Sequence, residues 1–223
     1  MRKEFIFLGT FAVMAIAAAA AAPEARACGF VDYGPVNVPA PKPISVSDRI
    51  VMAERHLDAE RLAEAGAQAV AAYPHLRTTT VGTSPLETRA ARILALALVR
   101  SNGLLAGVPG FSAENERTIN LEWSVAVLRL VSAARPNEPV ALADLGEALS
   151  ALSKYETQGF DVLSGLADRD LLGSAHAYAA LARLRASRGQ RNETRTALER
   201  CEKMTRAPGV VCNVPAAVLA SRG

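Results

Sequence analysis

Leu142-Ala143-Asp144-Leu145-Gly146-Glu147-Ala148-Leu149 and Tyr178-Ala179-Ala180-Leu181-Ala182-Arg183-Leu184-Arg185 align at an offset of 36, position 142 against 178, and each is followed after a brief turn by a second helical stretch. A recurring helix pair decides the fold class, because such a unit cannot bury its apolar face alone and has to stack on its neighbours. In each copy a small residue, Gly146 or Ala182, stands among large ones. The small residue lets a partner helix approach closely while the flanking side chains fill the groove.

Outward from this pair the apolar spacing is helical and no stretch reads as a strand. Ser84-Pro85-Leu86-Glu87 is an S-x-x-E capping box with proline at the first helical position. From it runs the stripe Leu86, Ala90, Ile93, Leu94, Ala97, Leu98, with Glu87, Arg89, Arg92 and Arg100 off it, so this helix is expected to pack by one face. A helix at about 113–134 has Ile119, Trp123, Ala126, Val127, Leu130 and Val131 on one stripe and Leu121, Val125 and Leu128 on a second. Being apolar on two sides, it is expected to be the most buried. Trp123 reads as core. Further helices are predicted at about 139–153, 156–168, 171–188, closed by Gly189, and 193–205, capped by Asn192 and ended by Pro208-Gly209. Upstream, residues 48–73 read as two short helices broken near Leu57-Asp58. Residues 74–84 and the stretch holding Gly103, Gly107 and Gly110 are the long loops.

The repeat resembles the tetratricopeptide repeat, a unit of about 34 residues in which a large residue, a Leu-Gly pair and another large residue recur on the first helix. Leu142, Leu145, Gly146 and Leu149 fall on those positions in one unit, and Tyr178, Leu181 and Ala182 in the next, with Gly189 in the turn. The chain departs from the pattern at Arg185, where a large apolar residue belongs, and at Gln158 and Thr194, where the second helix is expected to hold a small one. Asp170 and Arg206 stand at the repeat ends in place of proline. Leu62-Ala63-Glu64-Ala65 with Tyr73-Pro74 looks like the back half of another unit, out of register. The resemblance implies an all-α fold, antiparallel helix pairs stacked as a short solenoid, whose first helices face a protein or peptide partner. On that face it places Glu147, Ser150, His176, Arg183 and Ser187, a mixed-charge groove suited to polar contacts with an extended chain.

Residues 1–27 have the three parts of a secretory signal: Arg2 and Lys3, an apolar run over 5–22, and Ala25-Arg26-Ala27 before Cys28. Cleavage after Ala27 is expected. A Pro-rich stalk follows over 28–47, with Pro35, Pro39, Pro41 and Pro43, then the repeat domain over 48–208 and a tail over 209–223. Export takes Cys28, Cys201 and Cys212 to a compartment where disulfides persist. Cys201 and Cys212 are the expected pair, with a bond from Cys28 to either as the competitor. Cys28 at the first mature position also resembles the lipid-bearing cysteine of bacterial lipoproteins, although Ala25-Arg26-Ala27 departs from their usual lipobox at Arg26. That resemblance implies membrane attachment through a lipid on Cys28; without it the chain is freely periplasmic or extracellular.

The 25 Lys+Arg against 22 Asp+Glu give a net charge of +3 with no basic cluster, which argues against a nucleic-acid partner. His56, His75 and His176 are far apart, and His56 with Glu60 is a lone i, i+4 combination, so no metal or other cofactor is expected. The sequence contains no G-x-S-x-G, P-loop, G-x-G-x-x-G or H-E-x-x-H. The expected function is therefore that of an exported, non-enzymatic scaffold binding a protein or peptide of the cell envelope. A periplasmic small-molecule binder with a closed apolar pocket is the alternative; an enzyme would need one of the histidines in a cleft beside a carboxylate or hydroxyl.

Overall fold

The computed structural model describes residues 43–78 and 84–213. Residues 1–42, on which the expected signal peptide, Cys28 and most of the expected stalk fall, residues 79–83 and residues 214–223 lie outside the described residues. Within them the fold is all-α, with no strand: α1 (Val46–Asp58), α2 (Leu62–Ala72), α3 (Pro85–Arg100), α4 (Arg117–Ala134), α5 (Pro139–Ser150), α6 (Glu156–Ala167), α7 (Ala175–Ser187), α8 (Arg191–Met204) and the single turn α9 (Pro208–Val211). Helices α1 to α8 pack as four adjacent pairs. The first helices, α1, α3, α5 and α7, touch in series, and α2, α4 and α6 each also pack on the first helix of the following pair.

Local chemistry sets the helix ends. Ser84 Oγ accepts from the Glu87 N–H at 3.5 Å and Pro85 occupies the first turn of α3, as the capping box predicts. At the other end the Gly103 N–H donates to Leu98 O, and Gly103 has φ +84°. A side chain there is excluded twice, by that backbone conformation and because a Cβ would lie 2.7 Å from Arg117 O. The buried Asn120 of α4 donates from Nδ2 to Gly103 O at 2.9 Å, pinning the α3–α4 connection. Ser174 caps α7, which therefore starts at Ala175 and not near 171; residues before it form a turn anchored by buried Leu172. Asn192 does not cap α8. The turn after Gly189 (φ +74°) is short enough that Arg191 is already helical, Gln190 takes the cap position, and the Asn192 carbonyl accepts from Thr196.

The core forms two apolar clusters that meet at α5. The first gathers α1 to α4 with Ala141, Ala148 and Leu149; the second gathers Ala143 with α6 to α9. Leu145 packs half-buried on the first cluster and Leu142 on the second. One helix thus serves two cores, as expected where each pair contacts only its neighbours.

Two expectations about burial are reversed. The burial expected of α4 falls elsewhere: on α3 every residue from Ala90 to Val99 except Arg92 is buried, and on α7 every residue from Ala177 to Leu184 except Arg183. On α4 the second stripe, Leu121, Val125 and Leu128, faces inward, whereas Ile119 and Leu130 are about half exposed and Trp123 is half-buried. Of the α3 arginines placed off the stripe, only Arg89 lies on an exposed face, where it pairs with Glu54. Arg92 and Arg100 pair with acids on α5, which removes the reason for that side to face water.

Helices α5 and α6 approach through glycine. A Cβ on Gly146 would lie 2.7 Å from Leu163 Cδ2, and one on Gly159 would lie 2.9 Å from the Ser150 backbone nitrogen and 3.2 Å from Gly146 O. Gly159, next to Gln158, supplies the small residue of the second helix. At the C-terminal end the Cys201 and Cys212 sulfurs are bonded, 2.02 Å apart, holding the segment after α8 against α7 and α8.

Alanine is favoured over glycine by about 1 kcal/mol inside a helix, whereas overpacking costs about 1 to 3 kcal/mol. Gly165→Ala, with nothing within 4 Å of the new Cβ, is therefore expected to hold or raise the melting temperature. Gly159→Ala, pressed against backbone that cannot move aside, is expected to lower it, and by more than Gly146→Ala. Thermal melts of the three variants check the order; a Gly159→Ala variant as stable as Gly165→Ala would contradict the close crossing.

Candidate functional site

Two ion pairs join the first helices of the second and third pairs. Arg92 Nε donates to Asp144 Oδ2 at 2.6 Å, and Arg100 Nε donates to Glu147 Oε1 at 3.1 Å with Nη2 reaching Oε2 at 3.4 Å. The spacing is the physical reason: Asp144 and Glu147 are i, i+3 on α5, so they share a face. Both carboxylates are almost inaccessible, at 4% side-chain exposure, and the Arg100 side chain is 11% exposed.

Burial works against the charge of Arg100, but Glu147, reinforced by Asp144 and Glu60, outweighs it and holds the guanidinium above its usual range. Burial dominates at Asp144, where it and the like charge of Glu147 outweigh Arg92 and push the carboxyl up.

Around Glu147 opens a cleft of about 460 Å³. Its walls come from the α1–α2 turn (Glu60), the end of α3 (Arg100, Asn102), the end of α5 (Glu147, Ser150), one face of α7 (His176, Ala179, Arg183) and the α9 region (Val210, Asn213). His176, Ala179 and Arg183 stand at i, i+3 and i+7, which puts them on one stripe of α7. Ser150 Oγ donates to Glu147 O at 2.6 Å. Solvent reaches Arg183, yet the surrounding walls pull its guanidinium below its usual range, with Glu147 opposing. The Arg183 side chain has no hydrogen bond or ion pair among the described residues. Val210, 73% exposed, forms an apolar ledge at the rim.

A second cleft of about 720 Å³ shares Glu60, Arg100 and His176 with the first. Between the two, His176 Nε2 and Glu60 Oε1 are 2.7 Å apart, joining α7 to the turn after α1 across 116 residues of chain. Glu60 has φ +58°, a left-handed conformation for a residue other than glycine. The far side of the bridge is lined by Arg55 and Asp58 of α1, Ser174 and residues 204–207.

Four of the five residues assigned to the groove from sequence, Glu147, Ser150, His176 and Arg183, therefore line one cleft. Ser187 does not; its hydroxyl lies 2.9 Å from Leu184 O and 3.2 Å from Glu156 Oε1. Glu147 is not a solvated residue of the face but a buried partner of Arg100. Glu60, Arg100, Asn102, Val210 and Asn213 escaped the sequence reading, because turns and the far end of a neighbouring helix bring them in. Glu60, four residues from His56 in sequence, turns to His176, and His56 Nδ1 is buried without a hydrogen-bond partner among the described residues. Among the described residues no group of three His, Cys, Asp or Glu side chains is placed to hold a metal ion.

Compared with protein-family models, with curated proteins and with solved structures, the chain matches none.

Because the folded pKa of Asp144 lies above its unfolded value, the native state holds more protons in the window between the two. The contribution of this residue to stability is therefore greatest below that window and falls as pH rises through it. Asp144→Asn, which keeps the shape and removes the charge, is expected to melt at or above the native temperature at pH 7 and to gain less than the native chain on acidification toward about pH 4. Calorimetry across that range checks it; a loss of several degrees at pH 7 would mean that the pair with Arg92 outweighs the cost of burial.

Proposed function

We propose that this chain is an exported scaffold, tetratricopeptide-repeat-like in its stacked helix pairs, that works by holding a polypeptide partner of the cell envelope against the row of first helices. The observation that carries the reading is the convergence of Glu147, Ser150, His176 and Arg183, drawn from two repeat units, on one cleft. Its polar groups suit a peptide backbone: Asn102 and Asn213 offer amide donors and acceptors, Ser150 a hydroxyl, Arg183 an uncommitted guanidinium. The ledge at Val210 gives an apolar side chain a place to pack.

Recognition and tethering are the proposed mode of action, not catalysis. Glu147 and Arg100 are committed to each other, and Glu60 to His176, so these groups shape the cleft. A small-molecule site of the kind set out as the alternative is a closed, mainly apolar pocket, whereas this cleft mixes Leu62, Val99 and Val211 with five ionisable residues, Glu60, Arg100, Glu147, His176 and Arg183. The Cys201–Cys212 bond is compatible with export, since such bonds persist in oxidising compartments. No described helix is long and apolar enough to cross a membrane. Anchoring, where it occurs, is assigned to a lipid on Cys28, with the proline-bearing stretch behind it as spacer.

A photo-reactive side chain at Val210, on the cleft rim, is expected to cross-link to a polypeptide when the protein is expressed in its own host. The same side chain at Ile119, exposed on α4, is expected to give no comparable adduct. Mass spectrometry of the adducts checks the assignment; equal capture from both positions, or none at Val210, would contradict a polypeptide-binding cleft.

A further inference from the structure

Resting on the polypeptide-binding reading of the cleft, we infer that the bound segment is acidic and extended, lying across both clefts and over the Glu60–His176 bridge. Pairing of the groove's own charges leads to this. Arg100 is neutralised by Glu147 and Glu60 is hydrogen-bonded to His176. What is left is Arg183 on one side of the bridge, and Arg55, Arg206 and Asp58 on the other. None of these four side chains has a hydrogen bond or ion pair among the described residues. Three guanidinium groups against two carboxylates, Asp58 and the histidine-bound Glu60, therefore line the groove outside the Arg100–Glu147 pair, and Glu60 sits in the bridge between the arginines.

A guanidinium presents its donors in a planar fork that matches a carboxylate, and such bonds strengthen where the surroundings exclude water. The three arginines line two recesses separated by the bridge. A small anion would occupy one of them, whereas an extended chain with carboxylates along it reaches both. Between the arginines, Asn102, Ser150 and Asn213 are available to the backbone of such a segment. Asp58 shares the second cleft with Arg55 and Arg206 and fixes direction by disfavouring a carboxylate next to it.

The test uses the full mature chain and three fluorescein-labelled ten-residue peptides, built from glutamate and alanine, serine and alanine, or lysine and alanine. Binding is followed by anisotropy at about 0.15 M salt. The Glu/Ala peptide is expected to bind tightest. Arg183→Gln and the double variant Arg55→Gln/Arg206→Gln are each expected to weaken it by about tenfold. Arg195→Gln, an exposed α8 position outside both clefts, is expected to change binding less than about twofold. Thermal melts confirm that the variants are folded. Tighter binding of the Ser/Ala or Lys/Ala peptide, still lost on Arg183→Gln, would overturn the acidic segment and leave the polypeptide cleft standing. An equal loss in Arg195→Gln would reduce the effect to general charge attraction and overturn the site. No binding of any peptide would overturn the inference together with the reading beneath it.

Discussion

The pairing of Arg100 and Arg92 on α3 with Glu147 and Asp144 on α5 is the constraint on which the remaining arrangement depends. Of the three arginines on α3, Arg89 stays exposed, but Arg92 is partly and Arg100 almost wholly enclosed, and those two charges need opposite ones in proportion to their burial, because an unpaired buried charge costs several kcal/mol. The α5 carboxylates meet them, and α3 becomes the centre of the first core cluster in place of a surface helix. Such pairs add little net stability compared with an apolar core, but they admit fewer alternatives. Asp144 and Glu147 are three residues apart and the arginines eight, so a slip of one helix along the other would separate at least one pair.

From α5 the consequences run in both directions. Its alanines divide between the two apolar clusters, and Gly146 lets α6 close against it, with Gly159 meeting the α5 backbone from the other side. The close crossing seats the C-terminal end of α5, and with it Glu147 and Ser150, where α7 brings His176 and Arg183. The Cys201–Cys212 bond then holds the α9 segment so that Val210 and Asn213 complete the cleft. Packing, charge pairing and the disulfide thus each contribute one wall of the same site. The Glu60–His176 bridge joins the first pair to the last and divides the groove between them.

Much of this was legible in the chain itself. The 36-residue offset, the Ser84 capping box and Gly189 are local signals, and local signals place helices well. The 11-residue spacing of Cys201 and Cys212 marked the pair that the structure joins. Four residues of the cleft could be named because the resemblance to the tetratricopeptide repeat implies that the first helix of each pair faces a groove. What stayed hidden depends on partners remote in sequence. Arg92 and Arg100 read as a solvent face since Asp144 and Glu147 lie 52 and 47 residues away. Glu60 lies 116 residues from His176, too far for any local spacing to reveal their contact. Gln158 occupied the expected small-residue position because a one-residue shift, visible only in the packed structure, puts Gly159 there.

A double-mutant cycle on Arg100 and Glu147, read by denaturant unfolding, tests the central role of the α3–α5 pairing most directly. Arg100→Met and Glu147→Leu alone are each expected to cost about 3 to 5 kcal/mol, because each leaves the other charge buried and unmatched. Together they are expected to cost far less than the sum, since the double variant buries no orphaned charge. Single variants near native stability, or costs that simply add, would mean that the two side chains are solvated independently and that the row of first helices is held by packing alone.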